Sequence, residues 1–224
     1  MTAAKNIMHS RTAHTDEGFQ LPPPAHDPDD PIATAFKQRK TTKDTSATPL
    51  SMQELSDLLW SAYGVNRETG PFGAPGRTAA SASNSQEIDV YVALTDGTYR
   101  YDAPSHRLVR ITHTDLRASA LTPGQPDVAL APVLLIYVVD LQRLTHTAGF
   151  DEPGLHDPEV QKSYYYVDTG LIAGNVYLFA AAHGLAAWFH NCDTAGLAKH
   201  LGLQAHQRVL FAQSVGYPGS PRFR

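Results

Sequence analysis

The chain has 224 residues, of which 42% are hydrophobic, and a formal net charge of −4 at pH 7. This apolar content suffices for one sizeable core, and the slight excess of acidic residues argues against nucleic acid or an anionic membrane as a partner. The single cysteine excludes an internal disulfide, and no Cys/His cluster has the spacing of zinc ligands, so the sequence predicts no metal site.

The N-terminal region predicts an arm without a targeting segment. Residues 1–30 are polar and rich in Pro, His and Asp, which is typical of an extended arm, and residues 31–224 are then expected to form a single domain. No stretch resembles a signal peptide, and polar residues interrupt the longest apolar run. We therefore expect a cytoplasmic protein without a membrane span.

Two helices are predicted next. A short helix is expected over Pro31–Gln38, because proline is favoured in a first helical turn. A second helix is expected after Ser51, which can cap it and form a capping box with Glu54. Gly64 is a typical residue for its end.

The remainder of the chain predicts strands interspersed with helices. The expected strands are residues 87–94, a hairpin in 97–111 that turns at 103–105, a continuous apolar run at 131–140, and a closing strand at 207–218. The expected helices are an almost wholly apolar one over 164–185 and a short one over 194–203, whereas 142–163 shows no clear period. This order favours an α+β sandwich over a doubly wound sheet.

The first candidate site is a basic motif that follows the first helix. Arg39, Lys40 and Lys43 supply three cations, and Thr41 and Thr42 supply two hydroxyl groups. Forked guanidinium donors and ammonium groups suit a phosphate ligand. The alternative is a solvated helix end, whose cations merely offset the helix dipole.

The second candidate is a loop of small residues between Thr78 and Ser85, in which no residue is larger than asparagine. Short side chains leave the backbone open to a flat ligand, whereas the alternative is a flexible linker. The hydrogen-bonding side chains of the loop and its end are Ser81, Ser83, Asn84, Ser85 and Gln86, and the alanines are Ala79, Ala80 and Ala82.

The third candidate is the sequence around His190 and Asn191, which is expected to connect the apolar helix to the next one. His190 could donate a hydrogen bond to a ligand, although a lone histidine also occurs as a surface or internally satisfied residue. Cys192 has no evident base or metal partner and is interpreted as a small packing residue.

Taken in order, these motifs resemble the nitroreductase family of flavoenzymes, and in particular the branch with a "GxYRYD" hairpin that also includes azoline-forming dehydrogenases. The resemblance covers roughly Pro31 to Pro218. It implies an α+β fold in which helices flank a mixed, mainly antiparallel sheet. It also implies that FMN lies in a groove between two identical subunits, so that the protein is a homodimer.

The resemblance also implies roles for single residues. Arg39 and Thr41 would hold the phosphate and ribityl chain, and Lys43 would approach the N1/O2 edge of the flavin. The partner subunit would lay the small-residue loop against the ring, with Asn84 and Gln86 as side-chain donors. The full set of implied FMN-binding residues is Arg39, Lys40, Thr41, Lys43, Ala80, Ser81, Ala82, Ser83, Asn84, Gln86, His190, Asn191, Arg222 and Arg224.

The expected activity is ping-pong electron transfer from NAD(P)H through FMN to a nitroaromatic compound or a quinone, with no side chain required as acid or base. Two alternatives stay open: FMN-dependent oxidation of a peptide or metabolite, as in azoline formation, and sequestration of FMN without turnover. The chain departs from the family at Ala80, where a proline is usual, at Glu87-Ile88, which replaces the usual aromatic residue or proline, and at His190-Asn191, where Glu-Gly is frequent.

Overall fold

The computed structural model describes residues 20–25, 27, 29–123, 125, 131–148 and 156–220. The helices within these ranges are α1 (Pro31–Gln38), α2 (Met52–Tyr63), α3 (Leu141–Thr145), α4 (Pro158–Ala182) and α5 (Thr194–His200). The strands are β1 (Val65–Arg67), β2 (Gly76–Arg77), β3 (Ile88–Leu94), β4 (Gly97–Asp102), β5 (Arg107–Thr112), β6 (Val133–Asp140), β7 (Ala186–His190) and β8 (Gln207–Gly216). Most of the predicted 1–30 arm lies outside the described residues.

Six strands form the main sheet in the order β5-β4-β3-β6-β8-β7, and β1 and β2 form a separate two-stranded sheet. Every pairing between the described strands is antiparallel. The expected α+β fold, with helices around a mainly antiparallel sheet, is therefore confirmed.

Strand β6 separates two hydrophobic cores. Its residues Leu135 and Tyr137 face the core that includes side chains of α2 and α4, whereas Leu134 and Ile136 face the core that includes side chains of α5. Because successive side chains of a strand point to opposite faces, only a continuous apolar run can fill both cores. The prediction of a strand buried on both faces is confirmed.

Local signals explain where α2 begins. The Ser51 side chain accepts a hydrogen bond from the Glu54 amide at 3.1 Å, and Glu54 Oε2 accepts one from the Ser51 amide at 2.7 Å. This reciprocal pair is the predicted capping box, and the bounds of α1 also match the prediction. Glu54 has a second role, because its Oε1 accepts a hydrogen bond from the Tyr217 hydroxyl at 2.6 Å and so fixes the segment after β8 to α2.

Two sequence predictions are wrong. Residues 186–190 are not a connector: they form the edge strand β7, in which Trp188 and Phe189 pack on opposite cores. Helix α4 begins at Pro158, six residues before the predicted start, because Asp157 caps it and proline occupies its first turn. Helix α3 likewise occupies part of the stretch 142–163 that showed no period.

Among the described residues, no helix combines the length and apolarity that crossing a lipid bilayer requires.

Candidate functional site

The basic segment after α1 runs along the outer edge of β7. The Thr42 amide donates to the Ala187 carbonyl at 3.0 Å. The Tyr177 hydroxyl of α4 lies 3.2 Å from Thr41 Oγ1 and accepts a hydrogen bond from the Phe189 amide at 2.9 Å. Tyr177 therefore links α4, the basic segment and β7, and the structure brings the first and third candidate sites together.

Two of the three cations of this segment lie over aromatic faces. The Arg39 guanidinium carbon lies 5.7 Å from the ring centroid of Tyr177, and Lys43 Nζ lies 4.6 Å from that of Trp188. Arg39, Lys40 and Lys43 are all exposed, and none of them belongs to an ion pair among the described residues. We call Arg39–Lys43, with Tyr177 and Trp188, the cationic patch, and its charge is available to an anionic ligand.

The His190 side chain points into the protein. Its Nδ1 lies 2.7 Å from the Asn191 carbonyl, which can only accept, so Nδ1 carries the proton; Nε2 is buried and has no partner in the described part of the chain. Burial lowers the pKa of His190, which keeps the ring neutral at pH 7. The residue is only 5% exposed, so a ligand outside the chain meets the exposed Asn191 rather than the imidazole.

The small-residue loop has an unusual backbone. Ser83, Asn84 and Gln86 have φ angles of 48°, 56° and 51°, in the left-handed region that non-glycine residues rarely adopt. Such conformations cost about 1–3 kcal/mol each when they are sparsely populated, and they persist only where the surrounding contacts hold them. The loop is therefore a fixed turn rather than a slack linker.

The amides of Asn84 and Gln86 hold this turn. Asn84 Nδ2 donates to the carbonyls of Pro71, Ala74 and Pro75 at 3.2–3.4 Å. Gln86 Nε2 donates to the Pro75 carbonyl at 2.6 Å and to Asn84 Oδ1 at 2.9 Å. Because both side chains have partners within the loop and its neighbours, the surface offered to a ligand consists mainly of backbone and short side chains.

Two buried acids lie beneath the loop. Glu87 is 0% exposed and accepts a hydrogen bond from Ser85 Oγ at 2.6 Å, whereas Asp168 is 4% exposed and accepts one from the Ala82 amide at 3.0 Å. Burial, and then the Asp168 charge, raises the pKa of Glu87 to about 7, and burial also raises the pKa of Asp168. Sequence analysis missed this pair, for which the available signal was an acid within an otherwise apolar helix.

Within one chain the loop and the cationic patch are apart. The loop contacts α4 at Asp168 and the patch contacts it at Tyr177, nine residues further on, which is roughly 13 Å along the helix. Arg222 and Arg224, the remaining predicted phosphate ligands, lie outside the described residues. In the part of the chain that the structure describes, no group of three His, Cys, Asp or Glu side chains could hold a metal ion.

Comparisons with known proteins indicate the family of this chain. A family model described as "Nitroreductase family" matches residues 36–217. Protein MJ1384 of Methanocaldococcus jannaschii, provisionally named a nitroreductase, is 31% identical over 158 residues, which is 66% of this chain and 72% of that protein.

Solved structures share the fold. A Ralstonia eutropha JMP134 protein, again provisionally named a nitroreductase, superposes with a TM-score of 0.75 at 33% identity over 90% of this chain and 89% of its own. A chain of the E. coli microcin synthetase McbBCD complex superposes with a TM-score of 0.65 at 16% identity, over 79% of this chain and 68% of that one, which is a likeness of fold alone.

Proposed function

The chain belongs to the nitroreductase family, whose model matches residues 36–217, and on that premise we propose that it is an FMN-dependent oxidoreductase that works as a homodimer. In this proposal NAD(P)H is the electron donor, and a flat, electron-poor compound such as a nitroaromatic or a quinone is the acceptor. The observation that carries the proposal is the cationic patch, in which three cations without carboxylate partners among the described residues share one short segment with a hydroxyl group, and two of them lie over aromatic faces.

The patch fits the phosphate end of FMN. Arg39 offers a fork of N–H donors, and Thr41 offers a hydroxyl that Tyr177 already orients. Because no described carboxylate neutralises Arg39 or Lys40, a phosphate would not have to displace an internal partner. We assign the phosphate and ribityl chain to this end of the patch.

The other end of the patch fits the flavin ring. Lys43 Nζ lies over Trp188, and His190 and Asn191 come two and three residues after Trp188 in the chain. When bound, FMN supplies the hydride chemistry at its N5. The contribution of Lys43 is a fixed positive charge, which stabilises the negative charge that develops on the reduced ring.

The roles of the remaining residues are binding and orientation. His190 is neutral and turned inward, and Cys192 is buried, so that desolvation raises the pKa of its thiol to about 12. A thiol of that pKa is not a nucleophile or redox group at neutral pH. No acid, base or thiol of the chain is therefore assigned to the reaction.

The surface of α4 supports the homodimer. Val167 is 59% exposed and Leu171 is 44% exposed, although both are apolar. Beside them, a side-chain carbon added at Gly170 or Gly174 would meet no atom within 4 Å. An exposed stripe of apolar and small residues, on a helix that is apolar on nearly all sides, is typical of a subunit interface.

The position of this stripe also explains how the separated segments can share one ligand. A point between Gly170 and Gly174 is equally far along α4 from Asp168 and from Tyr177. If a two-fold axis passes through that point and the helices cross antiparallel, the loop at Asp168 of one chain lies level with the patch at Tyr177 of its partner. We infer that each flavin is enclosed by the patch of one chain and the loop of the other.

Lys43→Met tests the ring assignment. We expect the midpoint potential of bound FMN to fall by tens of millivolts, because the side chain keeps its length but loses its charge; 30 mV corresponds to about 1.4 kcal/mol for a two-electron couple. The potential is measured by anaerobic dye-coupled titration. Lys37→Met, which removes an exposed charge from α1, is the control. Equal potentials for wild type and Lys43→Met would place Lys43 away from the ring.

Turnover assays test the activity itself. NADH and NADPH oxidation is followed with and without menadione or a nitroaromatic acceptor, using FMN-saturated protein. Acceptor-dependent oxidation is expected. Absence of turnover with every donor would overturn the proposed reaction, and a protein that still bound FMN would then be a sequestering protein or an oxidase of another substrate.

A further inference from the structure

The hydrogen-bonding groups of the two acids beneath the loop, Glu87 and Asp168, can all find partners only if one of the two acids is protonated. Both carboxyl groups are buried beneath the same turn, and each affects the pKa of the other; two ionised carboxylates there would repel each other and could not share a hydrogen bond. Oxygen Oε1 of Glu87 has no donor partner among the described residues, so its natural role is that of a hydroxyl donor to Asp168. Asp168 already accepts from the Ala82 amide, which suits an ionised acceptor.

The basic residues near the pair have other partners. Arg143 of α3 lies 2.6 Å from Asp89 Oδ2 and donates to the Gln86 carbonyl at 3.0 Å. Arg77 of β2 donates to Gln86 Oε1 at 2.7 Å and lies over the ring of Tyr63. The Tyr63 hydroxyl of α2 is buried and has no hydrogen-bond partner among the described residues, and burial raises its pKa, so it stays neutral. None of these side chains therefore supplies the positive charge that two ionised carboxylates at Glu87 and Asp168 would need in place of a shared proton.

We propose that Glu87 and Asp168 are positioning residues, which share one proton and thereby hold the turn Ala82–Gln86 in the shape that meets the flavin. Ser85 binds one acid and the Ala82 amide binds the other, so the pair connects both sides of the strained turn to α4. The claim that the turn contacts the flavin rests on the function proposed above. The claim that the shared proton holds the turn does not.

The direction of the pH effect follows from the charges. When Glu87 loses its proton, two carboxylates face each other in a buried space, and their repulsion pushes the turn away from α4. The turn is thus expected to be ordered at pH 6 and loosened above pH 7, where Glu87 ionises. FMN binding, which needs the ordered turn, weakens over the same range.

The experiment compares wild type with Glu87→Gln. Glutamine is neutral at every pH, and it can donate to Asp168 and accept from Ser85 in place of protonated Glu87. Amide hydrogen exchange of residues 81–86, corrected for its intrinsic pH dependence, is measured in the FMN-free protein at pH 6 and pH 8.5. FMN dissociation constants are measured at the same two values.

In wild type we expect protection of the Ala82 amide and affinity for FMN each to fall roughly tenfold from pH 6 to pH 8.5. Glu87→Gln is expected to show no such fall. Ionisation of the FMN phosphate also changes with pH, but it affects both proteins equally and so does not produce a difference between them. Glu159→Gln, which removes an exposed acid from α4, the helix that carries Asp168, is the matched control and should behave as wild type.

The outcomes separate the two proposals. Ala82 protection that is equal at both pH values in wild type, or an equal fall in Glu87→Gln, overturns the shared-proton pair. Failure of FMN to bind at either pH, with the exchange behaviour as expected, overturns the flavin site and leaves the pair. Asp168→Asn is the second variant should Glu87→Gln not fold: its amide donates to ionised Glu87, so the fall between pH 6 and pH 8.5 should disappear there too.

Discussion

Gly170→Trp should give a folded monomer that has lost its FMN. A Cβ atom added at this position would meet no described atom within 4 Å, and the residue is exposed on α4. Tryptophan is also a better helix former than glycine, so the isolated chain should fold at least as well as wild type. In the proposed dimer, however, the ring enters the contact between the two α4 helices.

The expected size of this effect is large because the substitution occurs once in each subunit. Overpacking costs about 1–3 kcal/mol per site, hence about 2–6 kcal/mol per dimer, which weakens association at least tenfold. Sedimentation, far-UV circular dichroism and flavin absorbance on one sample measure the three consequences. Gly170→Ala is the control, and it should remain dimeric and yellow with a helix stabilised by about 0.5–1 kcal/mol. A dimeric, yellow Gly170→Trp protein would show that this face of α4 is not the interface.

Arg39→Ala should weaken FMN binding by roughly ten- to a hundredfold, because a charge-assisted contact to phosphate contributes about 1.5–3 kcal/mol. The guanidinium lies over the Tyr177 ring and takes part in no described ion pair, so its removal should leave the fold unchanged. Fluorescence titration of the FMN-free protein gives the affinity. Lys37→Ala removes a charge from the last turn of α1 and is the control. Equal affinities for Arg39→Ala and wild type would make Arg39 an ordinary helix-end cation.

Those parts of the fold that short-range signals determine were predictable from the sequence. The capping box of Ser51 and Glu54 involves residues three positions apart, and seven consecutive apolar residues predict the burial of β6. Strand β7 was missed because five residues after a buried helix carry too little periodicity to distinguish a strand from a connector. Its strand conformation depends on β8, which follows later in the chain.

The sequence predicted which segments form the candidate site, but not which residues these segments contact. The cations and the small-residue loop have recognisable compositions, but their partners Tyr177 and Asp168 are single residues within a long helix. Asn84 and Gln86 were interpreted as donors to the flavin, yet their amides hold the loop. The sequence shows that an asparagine or glutamine side chain will form hydrogen bonds. The path of the surrounding backbone determines which groups are its partners.

The central claim is that one flavin is held by the cationic patch of one chain and the loop of its partner. A mixed dimer tests it most directly, with Arg39→Ala in one chain and Ala80→Trp in the other. Ala80 is exposed and has no positive φ angle, so tryptophan there should disturb the groove and not the chain. The two chains carry different affinity tags, so that the mixed dimer can be isolated.

Flavin content is measured at an FMN concentration at which both parent homodimers are empty. If patch and loop come from different chains, one site of the mixed dimer carries both substitutions and the other carries neither. The account therefore predicts one FMN per mixed dimer. A mixed dimer as empty as its parents would mean that patch and loop of the same chain serve one flavin, and it would contradict the account.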